Sequence, residues 1–187
     1  MFISDKKINL GPFNRALIFN KLVNLMIIVS HSYGVMYAGY FTLKSPALVK
    51  GMLLVDPVPR DFNFSTKAMQ ECKKGIEEAK IQPARNIYKK YNGSRAEVFY
   101  QLLGFNETKR SIKQLGDINS AIPVTIISST GMEKKHPIQG DWYVSQKQWL
   151  NKNPKSKIIR VSSDHFIQLQ KPQGVCDELK QLLNYLE

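Results

Sequence analysis

Leu25-Met-Ile-Ile-Val-Ser-His-Ser-Tyr-Gly34 changes character at its midpoint. The first five residues are a short, continuous apolar run, the pattern of a parallel strand buried on both faces rather than of an alternating, half-exposed one. A helical pattern follows almost at once, from Tyr33 to Lys44. Its small residues Gly34, Ala38 and Gly39 permit close packing on a sheet, and Ser45-Pro46 ends it. Gly51-Met-Leu-Leu-Val55 then supplies a second buried strand, closed by Asp56-Pro57-Val58-Pro59. Strand, helix and strand within about thirty residues make a βαβ unit, whose crossover requires the two strands to be parallel.

Further along, from Phe64 to about Gly116, charged residues alternate with apolar ones at helical spacing: Ala84, Ile87, Tyr88 and Tyr91, then Val98, Phe99, Leu102 and Leu103. Gly75, Pro83 and an Asn92-Gly93 turn punctuate this region, which predicts three or four short helices inserted between strands over roughly residues 61–117. Pro123-Val-Thr-Ile-Ile127 resumes the sheet. Asp141 is placed to cap a helix through Trp142, Trp149 and Leu150. Lys157-Ile-Ile-Arg-Val161 is a fourth strand, and Pro172 opens a closing helix through Val175, Leu179, Leu182, Leu183 and Leu186. The fold class is therefore α/β: a parallel sheet of about four strands flanked by helices, with a helical insertion. At 187 residues and 43% apolar content, one domain spanning residues 1–187 with one core is expected.

Composition narrows the function classes. The net charge of +12 comes from scattered basic pairs, Lys73-Lys74, Lys89-Lys90, Lys109-Arg110 and Lys134-Lys135. These are not interleaved with aromatics in one segment, so they read as a solvated surface and not as a nucleic-acid stripe. The longest apolar stretch, Leu22 to Val29, is interrupted by Asn24 and too short to span a bilayer, and the first twenty residues lack the form of a secretory signal. Cys72 and Cys176 have neither metal-type spacing nor partner histidines. Two reduced thiols in a cytoplasmic protein without metal or organic cofactor are expected.

The chemistry concentrates at the strand ends. Ser30-His31-Ser32-Tyr33-Gly34 is a small-x-Ser-x-small turn between a buried strand and a helix, the form of a nucleophile elbow. Small flanks are expected because bulk there would clash with neighbouring backbone in so sharp a turn. The helix N-terminus beneath the serine favours developing negative charge, and the backbone N–H of Tyr33 is placed as an oxyanion donor. A neutral serine is a poor nucleophile and needs a base within hydrogen-bond reach. Of the three histidines, His31 sits inside the elbow and is expected to point away from the serine, and His136 lies in a polar loop. His165, in Ser162-Ser163-Asp164-His165-Phe166 after the last strand, is on the loop edge where parallel strands end. The imidazole in turn needs a carboxylate to fix its tautomer. Asp56, ending the second strand beside the elbow, competes with Asp141, beyond the third strand at the expected helix cap. Ser128-Ser129-Thr130-Gly131, directly after that strand, has no carboxylate.

VSHSYGVMYAGYFTLKSPALVKGMLLVDPVP and RVSSDHFIQLQKP resemble the elbow-helix-strand unit and the histidine loop of α/β-hydrolases of the esterase and epoxide-hydrolase-like kind, with Ser30 where that family usually has glycine. The resemblance runs from about Leu25 to Tyr185. It implies a serine hydrolase of small-molecule carboxylic esters, thioesters or related acyl compounds, with Ser32 as nucleophile, His165 as base and the 61–117 insertion as a cap over the pocket. Such enzymes often carry the acid beyond the third strand, where Asp141 comes about thirteen residues late, and Asp56 is preferred for its place beside the elbow strand. Epoxide hydrolysis is disfavoured, since it requires a carboxylate in place of Ser32. Such enzymes carry on the order of a hundred further residues before the elbow, including a His-Gly-type loop with the second oxyanion N–H. Without that stretch, a truncated fold with impaired activity and a bare elbow strand prone to self-association is expected.

Overall fold

The computed structural model describes residues 26–67, 69–71, 74, 93–135 and 141–186. Four strands, β1 (Met26–His31), β2 (Val49–Val55), β3 (Val124–Ser129) and β4 (Lys157–Val161), form one sheet in the order β1-β2-β3-β4, every pair parallel. The apolar runs explain its burial. Successive side chains of a strand point to opposite faces, so Met52 and Leu54 enter one core with Val124 and Ile126, while Leu53 and Val55 enter a second with Ile127.

Helix α1 (Gly34–Lys44) covers the first face through Val35, Met36 and Ala38, and α2 (Gly93–Leu115) packs outside it, contributing Phe105 and Ile112. Within the insertion the described residues 66–67, 69–71 and 74 are helical, and Gly93–Leu115 form one helix of 23 residues. Proline is absent from Gly93 to Leu115, and Gly104 alone does not break a helix whose apolar side is packed. The expectations for Ala84, Ile87, Tyr88 and Tyr91, like those for Cys72 and His136, lie outside the described residues.

After β3 come α3 (Thr130–Lys135) and α4 (Trp142–Gln146), the latter continued by a 3-10 turn over Lys147–Trp149. After β4 come a short α5 (Ile167–Gln170) and the closing α6 (Pro172–Asn184), which covers the second face through Leu182. Among the described residues no helix is long and apolar enough to cross a membrane. Among the described residues strand β1 lies at the sheet edge, with Val29 50% exposed.

Candidate active site at the carboxyl ends of the strands

Register fixes what meets at the upper rim. His31 pairs with Val55, and Val55 with Ile127, so Ser32 and Asp56 are each the first residue past paired strand ends. Both take a left-handed backbone, Ser32 at φ 54° and Asp56 at φ 43°, and no other described non-glycine residue has positive φ. Such conformations are costly for residues with a Cβ and persist where surrounding structure imposes them. Here the Ser32 N–H donates to Val55 O (3.0 Å), the Asp56 N–H to Ile127 O (2.7 Å) and the Val58 N–H back to Ser32 O (3.2 Å). The two turns thus hold each other.

The His165 loop is pinned from two sides. The Gly131 N–H donates to Ser163 O (3.0 Å), and a Cβ on Gly131 would stand 2.7 Å from Asp164 Oδ1 and 2.8 Å from Ser163 O. Only glycine permits that approach. From the other side the His31 ring, 4.6 Å from that of His165 between centroids, donates its Nε2–H to His165 O at 2.9 Å. His31 is thereby directed at the histidine loop and braces it. Burial, foremost, lowers the His31 pKa below its ordinary 6.5, consistent with a neutral ring whose proton sits on Nε2.

These turns bring Ser32, His165 and Asp56 into one hydrogen-bonded line. His165 Nδ1 is 2.7 Å from Asp56 Oδ2, and His165 Nε2 is 2.7 Å from Ser32 Oγ. Asp56 is fully buried, yet its pKa is lowered. Desolvation, the largest single influence, pushes it up, and hydrogen bonds from His165, Ser129, Trp142 and Gln146 together outweigh that push. An ionised Asp56 accepts the Nδ1–H, which leaves Nε2 of a neutral His165 as acceptor for the Ser32 hydroxyl.

Ser32 stands at the start of α1, and among the described residues no backbone acceptor takes the Tyr33 N–H. The Tyr33 phenol, pushed up to about 12 by burial, donates to Gln101 O (3.1 Å) and ties the elbow to α2. Steric demand at the elbow is milder than expected. A Cβ on Gly34 would lie 3.8 Å from Ser30 Cβ, an ordinary contact, so the turn calls for a small pair at 30 and 34 without requiring glycine at either.

Asp141 is elsewhere in role. Its carboxylate accepts the Val144 N–H (3.1 Å) as the N-cap of α4, and Arg160 approaches it to 3.8 Å. Sequence reasoning passes over Ser129, Trp142 and Gln146, which all donate to Asp56. The four-residue spacing of Trp142 and Gln146 behind a capping aspartate is the one signal that could have found the last two. Among the described residues no three His, Cys, Asp or Glu side chains group closely enough to hold a metal ion.

No family model and no curated protein matches the chain. Solved structures do. A probable hydrolytic enzyme from Pseudomonas aeruginosa PAO1 superposes with a TM-score of 0.56 at 16% identity, covering 92% of this chain and 67% of that one. An alpha/beta superfamily hydrolase from Oenococcus oeni PSU-1 gives 0.56 at 15% identity over 94% and 72%. A thermophilic esterase from Thermogutta terrifontis gives 0.53 at 12% over 91% and 69%. The chain has the core of the α/β-hydrolase fold: a four-stranded parallel sheet flanked by helices.

Proposed function

We propose that the protein is a serine hydrolase of carboxylic esters, thioesters or related acyl compounds. The observation that carries this reading is the continuous line Ser32 Oγ–His165–Asp56, at 2.7 Å and 2.7 Å, anchored by the two strained turns. Ser32 Oγ attacks the acyl carbon while His165 Nε2 takes its proton, and the Tyr33 N–H donates to the oxyanion. The imidazolium then protonates the departing alcohol or thiol. Water, deprotonated by His165, then attacks the acyl carbon; the acyl–Oγ bond breaks, the carboxylic acid leaves, and the imidazolium returns the proton to Ser32 Oγ. In this reading residues 61–117 form a cap over the site, and its Phe105 meets Tyr33 of the elbow while packing edge-on with Phe64, which is edge-on to Phe62. The solved hydrolases of the same fold support the reaction class. An exposed free thiol at Cys176 suits a reducing, cytoplasmic setting.

A fluorophosphonate probe tests the assignment, since it phosphonylates an activated serine with loss of fluoride. Labelling of the native protein that disappears in Ser32→Ala is the expected result. Equal labelling of both, or of neither, removes Ser32 as nucleophile.

A second reading, an interaction module without catalysis, is favoured by the place of β1 at the sheet edge among the described residues, where Val29 is 50% exposed, and by exposed Phe166 and Leu169 on the neighbouring α5 region. It predicts a self-associated species in light scattering together with an unlabelled Ser32. A labelled monomer rejects it.

A further inference from the structure

Asp56 is held by more donors than a fixed imidazole requires. Oδ2 accepts from His165 Nδ1 (2.7 Å) and Ser129 Oγ (2.8 Å). Oδ1 accepts from three N–H groups: Ser129 N (3.0 Å), Trp142 Nε1 (2.9 Å) and Gln146 Nε2 (3.0 Å). Two of these come from α4, four residues apart and therefore on one face of the helix, one turn above the other. Both side chains are buried, and neither would be placed there for apolar packing alone. Gln146 also donates to Pro57 O (2.8 Å), so it grips the peptide that follows the acid. Trp149, further along the same face, donates to Val58 O (2.7 Å) and touches no atom of the carboxylate through its indole N–H.

We propose that Trp142 and Gln146 are positioning residues that anchor Oδ1 of Asp56, so that Oδ2 alone faces His165. The inference rests on the Ser32–His165–Asp56 reading and extends it to the helix that reads as a mere connection in the sequence. A carboxylate can rotate about its Cβ–Cγ bond and offer either oxygen to a partner. Three N–H groups converging on Oδ1 define one rotation and leave the other oxygen where the Nδ1–H lies. They also hold the negative charge in place without water, which the burial of the group excludes. Loss of either side-chain donor makes the carboxylate more basic and lets it draw the imidazole proton more strongly. His165 then accepts the Ser32 proton only at higher pH.

The test follows fluorophosphonate labelling of Ser32 against pH in the native protein, Trp142→Phe, Gln146→Met and Trp149→Phe, each scaled to its folded fraction from near-UV circular dichroism. Trp142→Phe keeps a ring against Phe62, whose edge contact with Trp142 is 5.9 Å between centroids, and removes the donor together with part of the indole volume, a packing loss that the scaling to folded fraction takes up. The expected result for Trp142→Phe and for Gln146→Met is a labelling rate lower by about tenfold and an acidic limb moved up by about one pH unit, the scale of one hydrogen bond to a charged group. Trp149→Phe lowers thermal stability and leaves the limb where it is. With an ester substrate, kcat falls in the first two variants and KM holds. A limb unmoved in both variants, with the native protein labelled at Ser32, overturns the positioning role and leaves the hydrolase standing. A limb that Trp149→Phe moves equally reduces Trp142 and Gln146 to fold supports. A native protein that is not labelled at Ser32 overturns both readings together.

Discussion

Asp56 closes β2 and Asp141 opens α4, and the two turns use a carboxylate in opposite ways. At Asp56 the backbone is forced to φ 43° and the side chain is fully buried among five donors. At Asp141 the backbone is relaxed at φ −67° and ψ 113°, the side chain is about half exposed, and its main task is to accept the Val144 N–H. In the first turn the structure serves the charge, and in the second the charge serves the structure. A buried carboxylate without compensation would neutralise. That Asp56 stays on the acidic side of its ordinary value shows how complete its compensation is. Asp141 needs none, because water reaches it.

Exchanging the acid for its amide breaks the comparison most severely. In the Asp56→Asn variant the new side chain can satisfy the three N–H groups at the Oδ1 position only by turning its NH2 toward His165 and Ser129. The imidazole must then accept at Nδ1 and carry its proton on Nε2, where it cannot take one from Ser32. Labelling of Ser32 is expected to fall by about a thousandfold or more, with the folded state retained. Labelling within tenfold of the native rate would show that Asp56 is no part of the relay.

Acid stability separates two further groups. Asp56 has a lowered pKa, so below its ordinary 3.8 the unfolded chain binds the proton more readily. Its contribution to stability is therefore full above that value and drains away as pH falls through the lower, folded one. His31, also lowered, acts in a higher window. Below its ordinary 6.5 the unfolded chain again takes up the proton first, so the fold weakens as pH drops from there through the folded value. Thermal unfolding followed from pH 8 to pH 3 should show both declines. His31→Gln is expected to flatten the upper one and Asp56→Asn the lower one. A profile identical in all three proteins would contradict both assignments.

The sheet is legible in the sequence because β2 and β3 are buried on both faces, which suits largely apolar runs such as Met52–Val55 and Val124–Ile127, the latter with Thr125 as its one polar residue. Ser32 is legible because it follows its strand directly, and His165 because it lies on the loop four residues past the end of β4, with parallel strands ending on one edge. The acid stays open between Asp56 and Asp141, since residue type and strand order do not record which carboxylate is desolvated. The donors Trp142 and Gln146 are harder still. Their spacing is that of any amphipathic helix, and what they face is decided by the crossing of α4 over the end of β2.

The smallest expected effect sharpens the contrast from the other side. Asp141→Ala removes the side chain that accepts the Val144 N–H, a loss of about 1 kcal/mol for an N-cap, and for a domain of this size a Tm lower by about 2–4 °C. The pair with Arg160 adds little, since both side chains are about half exposed and 3.8 Å apart. Labelling of Ser32 should stay within a few-fold, because Gln146 and Trp149 still fasten the far end of α4 to Pro57 and Val58. Asp141→Asn discriminates more finely. Asparagine caps as well as aspartate but carries no charge, so a capping role predicts native Tm and native labelling together. If the carboxylate at 141 were the one that orients His165, the same amide would leave Tm unchanged and abolish labelling. That single pattern would reverse the roles given to the two turns.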